Sequence, residues 1–133
     1  MKECVFCKIV SGEIPSLKIF EDDQTIAFLD IAKDVDGHIL VVPKKHCKNI
    51  LDVDNETLCS VAQTVKIVSN HLSEHCGYDG VNLLNASDES AGQSVPHFHV
   101  HIIPRKYGDQ IDAWPKFDGA KQDIQTMYEI IRL

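Results

Sequence analysis

Three histidines, His97, His99 and His101, alternate with Phe98, Val100 and Ile102 in the stretch between Pro96 and Pro104. In a strand, successive side chains point to opposite faces, so this spacing predicts three imidazoles on one face and three apolar side chains on the other. The apolar alternates are β-branched or aromatic, which favours a strand over a helix that would scatter the histidines. Alternate residues on one strand face leave the backbone roughly 6–7 Å apart. Imidazoles at that spacing can surround a phosphate or place two rings on one metal ion. Thr, Lys or Glu would normally fill a solvated strand face, so three histidines there point to a chemical site. Pro96 and Pro104 are expected to bracket the strand, because proline is confined to strand ends and edges.

A second constellation is Cys4-Val5-Phe6-Cys7. Two cysteines at this spacing suit a metal knuckle or a redox pair. No strand or βαβ pattern precedes them, so zinc is the better chemical reading. Two thiolates supply only half of a tetrahedral site, and two small buried residues in a short helix would leave the same pattern. Taken alone, several other residues read as structural. Asp30 suits a solvated turn, and His38 suits a hydrogen-bonded position at the start of the apolar run Ile39-Leu40-Val41-Val42. The segment Ala91-Gly92-Gln93-Ser94 suits an ordinary loop, although Gly92 lets backbone N–H groups approach a phosphate and Gln93 and Ser94 add donors. His71 and His75 lie four apart on a helix and are read as surface residues.

The elements that must position these groups are legible from periodicity. Leu17 to Glu21 and Thr25 to Leu29 read as a hairpin turning at Asp22-Asp23, and Gly37 to Pro43 reads as a largely buried strand. From Asp52 to Cys76, Leu58, Val61, Ala62, Val65, Val68 and Leu72 recur at helical spacing, with Asp54 as N-cap and Gly77 as the stop. Gly80 to Asn85 is a short strand. Gln122 to Leu133 is a final helix with Ile124, Met127, Tyr128 and Ile131 on one face. This order predicts an α+β fold with an antiparallel sheet.

The chain of 133 residues is expected to form one domain, residues 1–133, large enough to bury a core. Its formal charge of −7 argues against a nucleic-acid partner, whose phosphate backbone requires a basic surface. Met1-Lys2-Glu3-Cys4 carries no apolar leader, and no apolar run is long enough to span a membrane. Five cysteines, an odd number without secretory context, suggest free thiols and a cytoplasmic setting.

The segment His97-Phe98-His99-Val100-His101-Ile102-Ile103 resembles the signature of the histidine triad (HIT) family, in which three histidines alternate with apolar residues. Further segments resemble the family in the same order: Cys4 to Lys8, Gly12 to Pro15, Glu21 to Asp23, Ala27 to Ile31, Gly37 to His46 and Ala91 to Ser94. The nearest branch is the small Hint-like or bacterial HIT proteins. The resemblance implies a five-stranded antiparallel sheet with helices, continued across a homodimer. It implies a hydrolase that cleaves substituents from the α-phosphate of a purine nucleotide, of the phosphoramidate or dinucleoside polyphosphate type. An alternative is a nucleotide-binding or scaffold dimer with negligible turnover.

By position, the resemblance makes His99 the nucleophile, His101 the phosphate and proton-handling partner, and His38 their hydrogen-bonding support. Asp30 would accept the ribose hydroxyls. Asn85, Gly92, Gln93 and Ser94 would contact the phosphate and leaving group, and Phe6, Ile9, Ile14, Phe28 and Ile31 would line the base pocket. Cys4, Cys7, His46 and His97 would form a closed, structural zinc site. No organic cofactor is implied. The stretch from Tyr107 to Leu133 has no family motif beyond Trp114-Pro115, and the loop from Asn85 to Gly92 is slightly longer than in eukaryotic-type members. By the resemblance, this C-terminal region is expected to shape the leaving-group side of the site.

Overall fold

A computed structural model describes residues 3–133; Met1 and Lys2 lie outside the described residues. The elements in order are α1 (Val5–Val10), β1 (Lys18–Glu21), β2 (Thr25–Leu29), β3 (Ile39–Pro43), α2 (Asn55–His75), β4 (Gly80–Leu84), β5 (Val100–Arg105) and α3 (Ile124–Ile131). The strands form one five-stranded sheet in the order β1-β2-β3-β5-β4, with every neighbouring pair antiparallel. The fold is α+β.

The sheet is covered on both faces, which explains the apolar run of β3, buried along its whole length. On one face, Val61, Val65, Val68 and Leu72 of α2 pack against Ala27, Ile39, Val41, Phe98 and Ile102. On the other, Phe6 and Ile9 of α1 pack against Ile26, Phe28, Leu40 and Val42. Helix α2 begins where its cap predicts: the Asp54 carboxylate accepts the Thr57 N–H. Its buried face is rotated slightly from the expected one. Ala62 is exposed, whereas Thr57 and Thr64 are buried. The polar Thr64 is tolerated there because its hydroxyl hydrogen-bonds that of Thr25 at 2.6 Å.

The histidine segment keeps its alternation but is not all strand. The β5 ladder begins at Val100. Upstream, the Phe98 N–H donates to the Cys47 carbonyl at 2.8 Å, so residues 97–99 hang on the segment after β3. Phe98 and Ile102 face α2. His97 and His99 face α1, where both rings meet the edge of Phe6 at centroid distances of 5.8 and 5.0 Å. Pro104 does not end the strand as expected; it lies inside β5, opposite Val81 of β4. The pairing of β5 with β3 reaches only to Ile102, so Pro104 sits where β5 is locally an edge. Gly37 fills that place. It adopts φ +76°, and a Cβ there would come 3.1 Å from Pro104 Cγ.

Helix α3 forms, capped by Asp123, but its apolar face joins no core: Ile124, Tyr128 and Ile131 are 89%, 54% and 67% exposed. No described helix is long and apolar enough to cross a membrane.

Packing of α2 on the sheet carries the fold's stability. Leu72→Ala is expected to lower the unfolding free energy by about 2–4 kcal/mol, and Ala62→Ser to change it by less than about 0.5 kcal/mol. Urea unfolding followed by circular dichroism measures both.

Candidate active site and metal centre

The Cys4-x-x-Cys7 pair opens α1. Cys4 is the N-cap, and its sulfur accepts the Cys7 N–H at 3.3 Å. This turn aims both sulfurs at two imidazoles from distant parts of the chain. Cys4 Sγ lies 3.3 Å from His97 Nδ1, Cys7 Sγ lies 3.3 Å from His46 Nδ1 and 3.6 Å from His97 Nδ1, and the two Nδ1 atoms are 3.2 Å apart. With Zn–N of ~2.0 Å and Zn–S of ~2.3 Å, tetrahedral angles give edges of ~3.3 Å between nitrogens and ~3.5 Å between nitrogen and sulfur. The four donor atoms therefore already stand close to the corners of a zinc tetrahedron.

The outer contacts agree with that reading. His97 Nε2–H donates to the Pro43 carbonyl at 2.8 Å, which leaves Nδ1 unprotonated and facing the sulfurs. Burial lowers the His97 pKa and so favours the neutral, metal-binding ring. Burial, with the Cys4 thiol beside it, pushes the Cys7 thiol up to about 11. A thiol so placed needs a cation to ionise, and the donor set supplies the room for one.

The second cluster begins two residues further on. His99 is 7% exposed, and its Nδ1–H donates to the His97 carbonyl at 2.7 Å. That bond fixes the tautomer and leaves the Nε2 lone pair free. Burial lowers the His99 pKa, keeping the ring neutral near pH 7. Asn85 Nδ2 donates to the His99 carbonyl at 2.8 Å, so its amide steadies the strand from the β4 side. The His101 ring stands 4.9 Å from that of His99. Burial, then the neighbouring His99, pushes the His101 pKa down to about 4.

His101 Nδ1 lies 2.8 Å from His38 Nε2, and His38 Nδ1 lies 3.1 Å from each carboxylate oxygen of Asp34. Asp34 was not among the residues singled out from the sequence, where Asp34-Val35-Asp36-Gly37 reads only as a turn. The loop that carries it is closed at its base by the Asp30 N–H donating to the His38 carbonyl at 2.8 Å. Asp30 Oδ1 accepts the Ala32 N–H, and Oδ2 stands 3.7 Å from His38 Nε2.

Two cavities flank these histidines. One, of ≈ 630 Å³, is lined by Phe6, Ile9, Ile14, Phe28 and Leu40, with Asp30 and the exposed Ile31 also on its wall. The other, of ≈ 660 Å³, is lined by His38, His101, Asn85, Leu83, Ile103 and Trp114 among others.

The expected phosphate loop is arranged differently from a set of free donors. The Gln93 amide donates to the Lys48 and Val95 carbonyls at 2.7 and 3.0 Å, and its oxygen accepts the Asp88 N–H at 2.8 Å. Gln93 thus braces its own loop. Ser94 borders a cleft beside Cys4 and His46, and Gly92 adopts φ +93° at the end of a single 3-10 turn. His71 and His75 are exposed on α2, their rings 5.4 Å apart.

An antiparallel α+β sheet presenting alternate histidines beside an apolar cavity defines a histidine-triad protein. The chain belongs to the HIT family: the HIT domain model matches residues 11–108. It is 43% identical over 130 residues to Protein hit of Bacillus subtilis, covering 95% of this chain and 90% of that one. It is 36% identical over 131 residues to adenosine 5′-monophosphoramidase hnt1 of Schizosaccharomyces pombe, covering 96% and 95%. It is 39% identical over 107 residues to adenylylsulfatase HINT3 of Arabidopsis thaliana, covering 80% of this chain and 54% of that one. Among solved structures, a HIT family member from Bacillus subtilis matches with TM-score 0.82 at 38% identity over 98% and 97% of the two chains. A Zn-bound histidine triad family protein from Mycobacterium smegmatis matches with TM-score 0.77 at 35% identity over 88% and 85%.

The donor geometry predicts one zinc per chain. Metal analysis and competition with a chromophoric chelator should give about one equivalent, lost in Cys7→Ser and in His46→Ala. Removing it should lower the melting temperature, because a structural metal binds the folded state alone. Sub-stoichiometric zinc after reconstitution would refute the assignment.

Proposed function

We propose that this chain is a nucleotidyl hydrolase that releases a purine nucleoside monophosphate by breaking the bond between its α-phosphorus and a substituent. The observation that carries this reading is the state of His99: a buried, neutral imidazole whose Nδ1–H is tied to the His97 carbonyl, leaving Nε2 as the nucleophile. The relatives named as adenosine 5′-monophosphoramidase and adenylylsulfatase support a nucleotide substrate.

The purine lies in the apolar cavity, where Phe6 and Phe28 offer aromatic surface and any purine offers a π-face. Phe6 is the link to the chemistry, because its ring also meets His99 edge-on. Asp30, on the wall of the same cavity, accepts the ribose hydroxyls. The α-phosphate then lies against His99 and His101, and the backbone near Gly92 supplies further donors as charge builds on the phosphoryl oxygens. His99 Nε2 forms a bond to phosphorus as the bond to the leaving group breaks. Water next attacks the phosphorus of the nucleotidyl-histidine, releasing the monophosphate and regenerating His99. The leaving group departs into the second cavity, on whose wall His101 and His38 stand.

Zinc at Cys4, Cys7, His46 and His97 would hold α1, the segment after β3 and the histidine segment together; with four protein ligands it leaves no open position for substrate. The 133 residues act as one domain. β4 is a sheet edge carrying the half-exposed Leu83, and a second copy paired there would continue the sheet as a homodimer.

The test is release of AMP from adenosine 5′-phosphoramidate, measured by chromatography. Wild type should turn the substrate over, and His99→Ala should lose at least about a thousandfold in kcat. Equal release by both would overturn the role of His99. Binding of AMP without turnover by wild type would favour a nucleotide-binding module. A panel of amine, sulfate and nucleotide leaving groups would then define the preferred bond.

A further inference from the structure

The loop between β2 and β3 holds a carboxylate that the proposed reaction does not yet use. Asp34 places both oxygens 3.1 Å from His38 Nδ1, and His38 in turn presents Nε2 to His101 Nδ1 at 2.8 Å. His38 is 8% exposed, whereas Asp34 stands half in solvent. The imidazole is therefore enclosed, and its charge partner comes from outside the sheet. Asp30, His38 and His101 also lie close enough together to suggest a metal cluster. The 2.8 Å separation is shorter than the ~3.3 Å between two nitrogens on a tetrahedral zinc. A separation of 2.8 Å is that of two nitrogens sharing one proton.

We propose that Asp34 is a positioning residue that holds an extra proton on His38, and that His38 and His101 relay this proton to the leaving group. The inference rests on the nucleotidyl-hydrolase reading and deepens it by defining which leaving groups need the relay. In the resting state His38 is an imidazolium: Nδ1–H donates to Asp34, and Nε2–H donates to His101 Nδ1. His101 is neutral and carries its proton on Nε2, toward the second cavity. As His99 forms its bond to phosphorus, His101 gives the Nε2 proton to the departing group and takes the His38 Nε2 proton onto Nδ1. His38 is left neutral and still bonded to Asp34. His101 now has a bare Nε2, the form that accepts a proton from the attacking water. Proton return through Nδ1 to His38 restores the resting state, so charge and protons balance over the cycle.

Two further observations fit this assignment. The His101 pKa is pushed down to about 4, so the extra proton is poorly held there. The hydrogen bond from His38 holds the Asp34 carboxyl below its usual range, as expected for a carboxylate facing a cation. The groups facing the imidazole pair are Asp30 from the end of β2, Lys33, Asp34 and Asp36 from the loop, His99 before β5, and Asp112 after it. Within this set, Asp34 alone is bonded to His38 Nδ1. Asp36, two residues away on the same loop, provides a control for charge without contact.

The experiment compares wild type, Asp34→Asn and Asp36→Asn on two substrates. One is an adenosine 5′-phosphoramidate with a basic alkylamine leaving group, which must leave protonated. The other is adenosine 5′-(p-nitrophenyl phosphate), whose phenolate leaves without a proton. Asp34→Asn should lower kcat on the amine substrate by about 10–100-fold, with KM little changed, and leave the phenolate substrate within about threefold. Its alkaline pH limb on the amine substrate should move down by about one unit, because losing the anion disfavours the imidazolium. Asp36→Asn should match wild type on both substrates.

Imidazole titration by NMR, on all three proteins without substrate, should show the same downward shift for the His38–His101 pair in Asp34→Asn alone. Equal loss on both substrates with unshifted titrations would assign Asp34 a purely structural role and overturn the relay. If wild type turns over neither substrate, the hydrolase reading fails. The NMR titration then still decides whether Asp34 charges the pair.

Discussion

Every polar atom of His97 is engaged. The ring has no exposure to solvent, so both nitrogens must find partners inside the protein. Nε2–H reaches the Pro43 carbonyl at the end of β3, and Nδ1 faces the two cysteine sulfurs and His46. The backbone carbonyl of the same residue receives Nδ1–H of His99. One buried residue thus joins the cysteine–histidine cluster to the sheet and sets the tautomer of the proposed nucleophile. A shift of the knuckle would propagate to His99 through a single peptide unit. A metal held by this cluster would therefore also fix the orientation of His99.

The same burial governs the electrostatics. Desolvation lowers the pKa of His97, His99 and His101, so near neutral pH these rings are lone-pair donors rather than cations. The carboxylates stand at the outer end of the cluster, where Asp30 and Asp34 meet His38. The overall charge of −7 has little bearing on this arrangement, because a small phosphorylated ligand is met by local groups.

The division of labour between faces follows from a two-residue period. Phe98 and Ile102 join the α2 core, while His97 and His99 meet Phe6 of α1. That alternation, the Asp54 cap and the α2 periodicity were readable without a structure, because each is a local property with a fixed geometric repeat. So was the family, since its signature is contiguous. The place of Pro104 within β5 was not readable: it depends on where β3 stops pairing, which is a property of another strand. Nor was the burial of Thr64, whose tolerance rests on a hydroxyl 39 residues away.

The sequence by itself determined the chemical inventory: three histidines on one face, a cysteine pair at knuckle spacing, and a sheet with helices to hold them. Side-chain chemistry and local periodicity are carried by neighbouring residues, so a linear reading recovers them. Only the tertiary structure decided which groups meet. It brought Cys4 and Cys7 to His46 and His97, turned the Gln93 amide into its own loop, and laid Asp34 against His38. These pairings are fixed by chain closure and burial. A buried donor must be satisfied by whatever the fold places within about 3 Å of it, and that partner is set by the packed structure, not by position along the chain.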